Sequence, residues 1–401
     1  MTAPPLPPRS PAPDEVIDGS APLFAVSPTT LDEAVDLIRW ARAERVALVP
    51  CGGGTERPVG NRLATSRWVS LRTDGLTGIV WFARADTVVS VRPGTRLSEL
   101  QAALAEADQF LPNDSPRPER ATVGGIVACN RQGLLRPLYG TPRDRVLGMT
   151  VVTGEGVVVR AGGRTVKNVA GYDLCKLFTG SRGSLGLIAE IILRSDPLPE
   201  SRLHLVYRAP SLRRAIEACM QVHGAHLQPA YMAIASRPSP LVAVGLLGRR
   251  ATVDWQKEQI EDRFAALDLA PIQDGPSPSD LCDRTCPDTM DAPIAGRVAV
   301  PVGDLLQTAL RLEEMGAAVD LHIPNGIVYF AFGSEDPALP NAVAARLPQV
   351  ANLRWIRLPL CLKGEVDVFG GIRSGLELMR GIKAALDPDR VFSPGRFAGR
   401  L

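Results

Sequence analysis

The stretch Thr165–Ile191, TVKNVAGYDLCKLFTGSRGSLGLIAEI, sets four glycines (Gly171, Gly180, Gly183 and Gly186) around an apolar run that leads into a strand-like Leu185–Leu193. Glycine weakens helices and strands alike, so a cluster of this kind marks tight turns or close approach of backbone to a ligand. Working outward, two more bare stretches lie N-terminal to it. CGGGTE, Cys51–Glu56, directly follows a short apolar strand at Val46–Pro50, and TVGGIVA, Thr122–Ala128, follows an irregular loop containing Ser115. Consecutive glycines let several backbone N–H groups converge on one anion, and Thr55 adds a hydroxyl donor. Each stretch alone reads equally well as a ligand-free turn. Three in one half of the chain point to a large, phosphate-bearing cofactor.

The familiar nucleotide signatures are absent. No G-x-x-x-x-G-K-[ST] occurs, and although Gly52 and Gly54 begin a G-x-G-x-x pattern, Arg57 stands where the third glycine of a dinucleotide fingerprint belongs. A different fold must hold the cofactor.

Bulk properties narrow the function classes. The 401 residues carry 45 basic and 43 acidic side chains, a formal charge of +2, without the basic excess of a nucleic-acid binder. No apolar run reaches the roughly 18–20 residues of a membrane-spanning helix. The N-terminal MTAPPLPPRSPAPDE lacks the apolar core of a signal peptide and reads as a disordered, proline-rich leader over 1–22. Seven cysteines, an odd number, fit reduced thiols in the cytoplasm. Cys282 and Cys286 have no second pair nearby, the histidines are only four (His204, His223, His226 and His322), and His223 and His226, which could share a helical face, read as polar residues near a helix end, so no metal or cluster site is expected.

Pattern divides the chain. Thr29–Ala43 reads as a capped helix, with strands at Trp68–Leu71, Gly78–Phe82 and Thr87–Val91, a helix at Leu97–Ala107, and strands at Leu147–Thr153 and Val157–Arg160. From about residue 200 the order strand–helix–strand–strand–helix occurs twice, beginning at Arg202–Arg208 and at Arg297–Val302, which suggests two ferredoxin-like units separated by a loop at Asp274–Pro293. Leu376–Phe397 reads as a helix stopped at Asp387-Pro388 and attached to the first domain. The expected division is a leader at 1–22, a cofactor domain at 23–199, a second domain at 200–374 and a returning segment at 375–401.

The order CGGGT, ATVGG, YG-x-x-RD, KNVAGYDL and GSRGSLGLI, closed by IKAALDPDRVFSPGR, resembles the FAD-binding flavoproteins of the vanillyl-alcohol-oxidase or PCMH type. Within them it is most similar to the glycolate-oxidase and D-lactate-dehydrogenase branch, and there to the FAD-binding E subunits of bacterial glycolate oxidase. The resemblance covers roughly residues 25–200 and 375–398. It implies an α+β protein: a PCMH-type FAD-binding domain of two α/β subdomains, plus an α+β cap domain containing the two ferredoxin-like repeats.

It also implies roles. Gly52, Gly53, Gly54 and Thr55 would wrap the FAD pyrophosphate; Ser115, Thr122, Gly124 and Gly125, with Asn130 nearby, would form a second phosphate and ribityl contact; Gly183 and Ile188 would run beside the adenosine half; Ser393 would lie near the flavin ring. Lys167, Asn168, Tyr172 and Asp173 would brace these loops. Cys51 and Ser393 depart from the Arg and Asn that are common at these two places. With no histidine before His204, non-covalent FAD is expected. The implied reaction is oxidation of a small 2-hydroxy acid, glycolate to glyoxylate, beside a larger FAD-binding catalytic subunit and an iron–sulfur subunit. Catalytic residues are unassigned, because a substrate base is missing: His322 stands alone in its strand and reads as structural. A cytoplasmic protein, peripheral on the inner membrane face through its partners, would follow. A stand-alone flavin oxidoreductase for a hydroxy acid or alcohol, and a flavin-free scaffold, are the alternatives.

Overall fold

The computed structural model describes residues 2–164, 172–284, 292–348, 352–371 and 374–401. They form two compact units, one of Met1–Gln132, Thr141–Leu198 and Gly371–Leu401, the other of Gly133–Gly140 and Pro199–Gly370. Residues 133–140, read within 23–199 from the sequence, group with the second unit, where Leu134 packs with Val206 and Tyr231.

The first unit contains two α/β layers. In one, the parallel strands Ala25–Val26, Trp68–Arg72 and Ala47–Cys51 lie side by side in that order. The helix Leu31–Ala43 covers them with Ala34, Leu37, Ile38 and Ala41; Thr30 starts it by accepting the Glu33 N–H at 3.2 Å. The C-terminal tail extends this sheet: Leu48 donates to Val391 O at 2.7 Å and accepts from Ser393 N at 3.0 Å. In the other layer, an antiparallel sheet runs Ile79–Ala83, Val88–Val91, Leu187–Arg194, Val146–Val152, Val158–Gly162. The helices Leu97–Ala105 and Val123–Cys129 bury Leu97, Leu100, Leu104 and Val127 against it. Each fully buried side chain of this kind contributes about 1.5–3 kcal/mol.

A buried ion pair ties the tail to the glycine-rich segment. Lys383, on the helix Leu376–Leu386, donates to Ser184 O at 2.6 Å, Phe392 O at 2.8 Å and the Asp387 carboxylate at 2.6 Å. Asp387 in turn accepts the N–H groups of Val391 and Phe392, both at 2.8 Å. Burial lowers the Lys383 pKa, and Asp387 opposes that shift.

The leader differs from its expected disorder. Arg9 and Ala25 exchange backbone hydrogen bonds, and Glu15, 3% exposed, accepts from Ser70 Oγ at 3.0 Å and Arg72 Nη1 at 3.1 Å. A proline-rich extended segment needs no internal hydrogen bonds, so a few buried anchors such as Glu15 and Ile17 suffice to hold it.

In the second unit, two βαββαβ units build one eight-stranded antiparallel sheet. The first comprises Ser201–Arg208, helix Leu212–Gly224, Tyr231–Ala235, Leu241–Gly248, helix Arg250–Ala265 and Ala270–Ile272. The second comprises Ile294–Ala299, helix Leu305–Glu314, Ala318–His322, Ile327–Phe332, helix Leu339–Arg346 and Asn352–Arg357. Within each, the strands lie in the spatial order fourth, first, third, second, and the two second strands join the halves through Ala233↔His322 and Ile234↔Leu321. This is the expected pair of ferredoxin-like repeats. The segment expected as pure loop contains a short helix, Pro278–Asp283, capped by Ser277; residues 285–291 of it lie outside the described residues.

Candidate cofactor site

A cavity in the first unit has an empty volume of about 1280 Å³, including its part open to solvent. Gly52, Gly53, Gly54 and Thr55 line one wall, Ser115, Thr122, Gly124 and Gly125 a second, Gly183 and Ile188 a third, and Ser393 reaches it from the tail. Asn130 does not line it. This residue ends the helix Val123–Cys129 in a left-handed conformation, φ +47°, and its Oδ1 accepts from Arg143 N at 3.1 Å. Lys167 and Asn168 lie outside the described residues. Asp173 caps the helix Leu174–Phe178 through Lys176 N at 3.3 Å, and Tyr172 is 95% exposed.

The wall that follows the strand Ala47–Cys51 has a distinct donor set. Among the described residues, the N–H groups of Gly52, Gly53, Gly54 and Thr55 make no hydrogen bond, so four successive donors are left for a ligand. The second wall is different. Gly125 N–H is taken by Thr122 Oγ1 at 3.2 Å and Gly124 N–H by Pro93 O at 2.8 Å. That stretch, read from the sequence as a glycine loop, is the start of a helix whose first amides are taken by Thr95 O, Pro93 O and the capping Thr122 hydroxyl.

The glycines of the first wall also serve packing. A Cβ on Gly52 would stand 2.1 Å from Thr122 Oγ1, and one on Gly53 would stand 1.7 Å from Arg120 O. Gly52 therefore packs against the Thr122 side chain and Gly53 against the Arg120 carbonyl, both closer than any Cβ allows.

Electrostatically the lining favours an anion. Arg57, Arg131, Arg182 and Arg396 line it against Glu15 and Glu56, two more cations than carboxylates. Arg182 donates to Glu56 O and Val59 O, both at 3.1 Å, and Arg131 Nε lies 3.4 Å from the Glu56 carboxylate. Arg396 pairs with Asp18 at 3.1 Å and donates to Arg57 O at 2.6 Å. Its guanidinium is pushed down to about 10, first by burial and then by repulsion from Arg182 and Arg57, with Asp18 opposing. Glu15, Asp18 and the arginines gave no signal in the sequence, because their partners lie far along the chain.

A flavin dinucleotide fits these observations. The free amides and surplus guanidinium charge suit a diphosphate, Thr73 Oγ1 lines the cavity buried with no hydrogen-bond partner among the described residues, and Ile17, Val49, Trp68 and Leu187 offer apolar surface to rings. Among the described residues no group of histidine, cysteine and carboxylate side chains could hold a metal, and no helix is long and apolar enough to cross a membrane.

Comparison with known proteins agrees. The model of the FAD binding domain family matches residues 22–162. Glycolate oxidase subunit GlcE of Escherichia coli (strain K12) is 38% identical over 199 residues, 49% of this chain and 54% of that protein. Glycolate oxidase subunit GlcD of Bacillus subtilis (strain 168) is 30% identical over 223 residues, 56% of this chain and 47% of that protein. The chain thus matches about half the length of these curated relatives. A 4-ethylphenol oxidase from Gulosibacter chungangensis superimposes with a TM-score of 0.72 at 15% identity, covering 96% of this chain and 90% of that one, a likeness of fold.

Proposed function

We propose that this chain, whose residues 22–162 form an FAD binding domain, is the FAD-binding subunit of a complex that oxidises glycolate to glyoxylate. The observation that carries the reading is the run of four unengaged amides from Gly52 to Thr55 inside a cavity with surplus guanidinium charge. Identity of 38% to a glycolate oxidase subunit supports the choice of a small 2-hydroxy acid. The partners in this reading are a larger FAD-binding catalytic subunit and an iron–sulfur subunit, and the complex is cytoplasmic.

FAD bound here would supply a redox centre able to take up electrons delivered by the catalytic subunit and pass them on. The chain's own residues bind and shield it. Gly52–Thr55 would hold the diphosphate, Ile188 would face the adenosine half and Ser393 the ring system; all of them line the cavity. Non-covalent attachment belongs to this reading, supported by the absence of histidine among the described lining residues.

Removing the substrate hydroxyl proton needs a base within hydrogen-bond reach. Among the described lining residues there is no histidine, lysine or tyrosine, Glu15 is tied to Ser70 and Arg72, and Glu56 is tied to Arg131 and Arg182. This supports an auxiliary, electron-carrying role rather than substrate oxidation by this chain alone. The surplus arginines favour the second reading, a stand-alone 2-hydroxy-acid or alcohol oxidoreductase that uses a guanidinium to clamp a carboxylate.

Anaerobic spectra separate the two. With glycolate added, the flavin of the isolated chain is expected to stay oxidised and to bleach once the partner subunits are present. Bleaching of the isolated chain would overturn the auxiliary role. A protein that takes up no flavin would leave only a scaffold.

A further inference from the structure

An arginine of the loop of free amides folds back onto it from within. Arg57 N–H closes a turn onto Gly54 O at 3.0 Å, and Arg396 holds the Arg57 carbonyl at 2.6 Å, so the residue's backbone is fixed. Its side chain then doubles back over the loop. Nη2, Cζ and Nη1 lie 3.2, 3.4 and 3.6 Å from the point where a Gly54 Cβ would stand, so the guanidinium lies close against that glycine. Nη2 reaches the Cys51 Sγ at 2.6 Å. Arg57 therefore spans Cys51 to Gly54, the turn that presents the N–H groups of Gly52, Gly53, Gly54 and Thr55, and it lines the same cavity.

Position distinguishes it from the other lining arginines. Arg131 and Arg182 converge on the Glu56 carboxylate, and Arg396 pairs with Asp18. Arg120 Nη2 donates to Gly53 O at 3.2 Å from outside the loop, whereas Arg57 belongs to the loop, lies against Gly54 and lines the cavity. A diphosphate diester carries two negative charges, while backbone amides offer only dipoles. A planar guanidinium offers formal charge and paired N–H donors matched to phosphate oxygens.

We infer that Arg57 is a diphosphate-binding residue, moving from the Cys51 sulfur onto the phosphate oxygens when the nucleotide enters. The inference rests on the FAD reading above and adds the charge that the glycine loop lacks. A lysine at this position would keep the charge and lose the fork.

The test compares three probes (FAD, ADP and riboflavin) on the unsubstituted chain, Arg57→Gln and Arg57→Lys, by calorimetry or flavin fluorescence. Arg57→Gln is expected to weaken FAD and ADP by about 10- to 100-fold and to leave riboflavin, which has no phosphate, unchanged. Arg57→Lys should fall between the two. The fall of ADP affinity with added salt should be steeper for the unsubstituted chain than for Arg57→Gln. Thermal melting of the cofactor-free proteins monitors folding, and the lysine variant carries the test if the glutamine variant is unfolded. Unchanged FAD and ADP binding in Arg57→Gln would overturn the inference and leave the cofactor reading standing. Equal weakening of riboflavin would assign Arg57 to shaping the loop instead. An unsubstituted chain that binds neither FAD nor ADP would remove the cofactor reading and this inference with it.

Discussion

Tyr207 buries its phenol oxygen with no hydrogen-bond partner among the described residues, its ring edge-on to Phe264 at 4.8 Å between centroids. Burial, then the nearby Glu261, pushes the phenol up to about 12. The unfolded chain loses this proton at about 10 while the folded one keeps it. The contribution to stability is therefore complete below pH about 10 and is lost as pH rises towards about 12. Tyr207→Phe is expected to raise stability by about 1 kcal/mol at neutral pH, by removing an unsatisfied buried hydroxyl, and to flatten the decline above pH 10. Urea denaturation at several pH values reads both effects. At this scale the sequence was partly legible. Gly52 and Gly53 were visible as bare backbone, but their contact with Thr122 and Arg120 was not, because it joins segments nearly 70 residues apart. The resemblance puts Asn130 near the second phosphate contact, and in the fold its left-handed backbone ends the helix Val123–Cys129.

Among elements, the C-terminal helix has the largest leverage on the site. Lys383 and Asp387 sit four residues apart, a spacing that in sequence looks like an ordinary exposed helical pair. In the fold both are buried and bind Ser184, Val391 and Phe392, next to the lining residues Gly183 and Ser393. Asp387→Ala leaves a buried ammonium without its counter-charge and frees two amides, so a loss of about 3–5 kcal/mol is expected in chemical denaturation, with weaker FAD retention. Replacing Lys383 and Asp387 together by apolar residues should cost less than the single change. The helix stop at Asp387-Pro388 was readable from proline alone; the burial was not. The strand Ala270–Ile272 escaped the sequence reading because API is short, exposed and interrupted by proline at a sheet edge.

At the scale of the molecule, the repeated strand and helix periods of residues 200–359 gave the two ferredoxin-like units, since period-2 and helical patterning survive without knowledge of contacts. Their fusion through Tyr231–Ala235 and Ala318–His322 depends on edge pairing that no local pattern encodes. The leader shows the opposite limit: composition predicted disorder, but Glu15 and Ile17 line the cofactor cavity. The central claim is that one cavity in the first unit holds FAD by the amides of Gly52–Thr55 without a covalent link. The most direct measurement is to purify the chain, saturate it with FAD, record its visible spectrum, and then precipitate the protein with acid. Flavin bands near roughly 370 and 450 nm, with all the FAD released into the supernatant, are predicted. A chain that stays colourless after incubation with FAD, or flavin that remains with the precipitated protein, would contradict it.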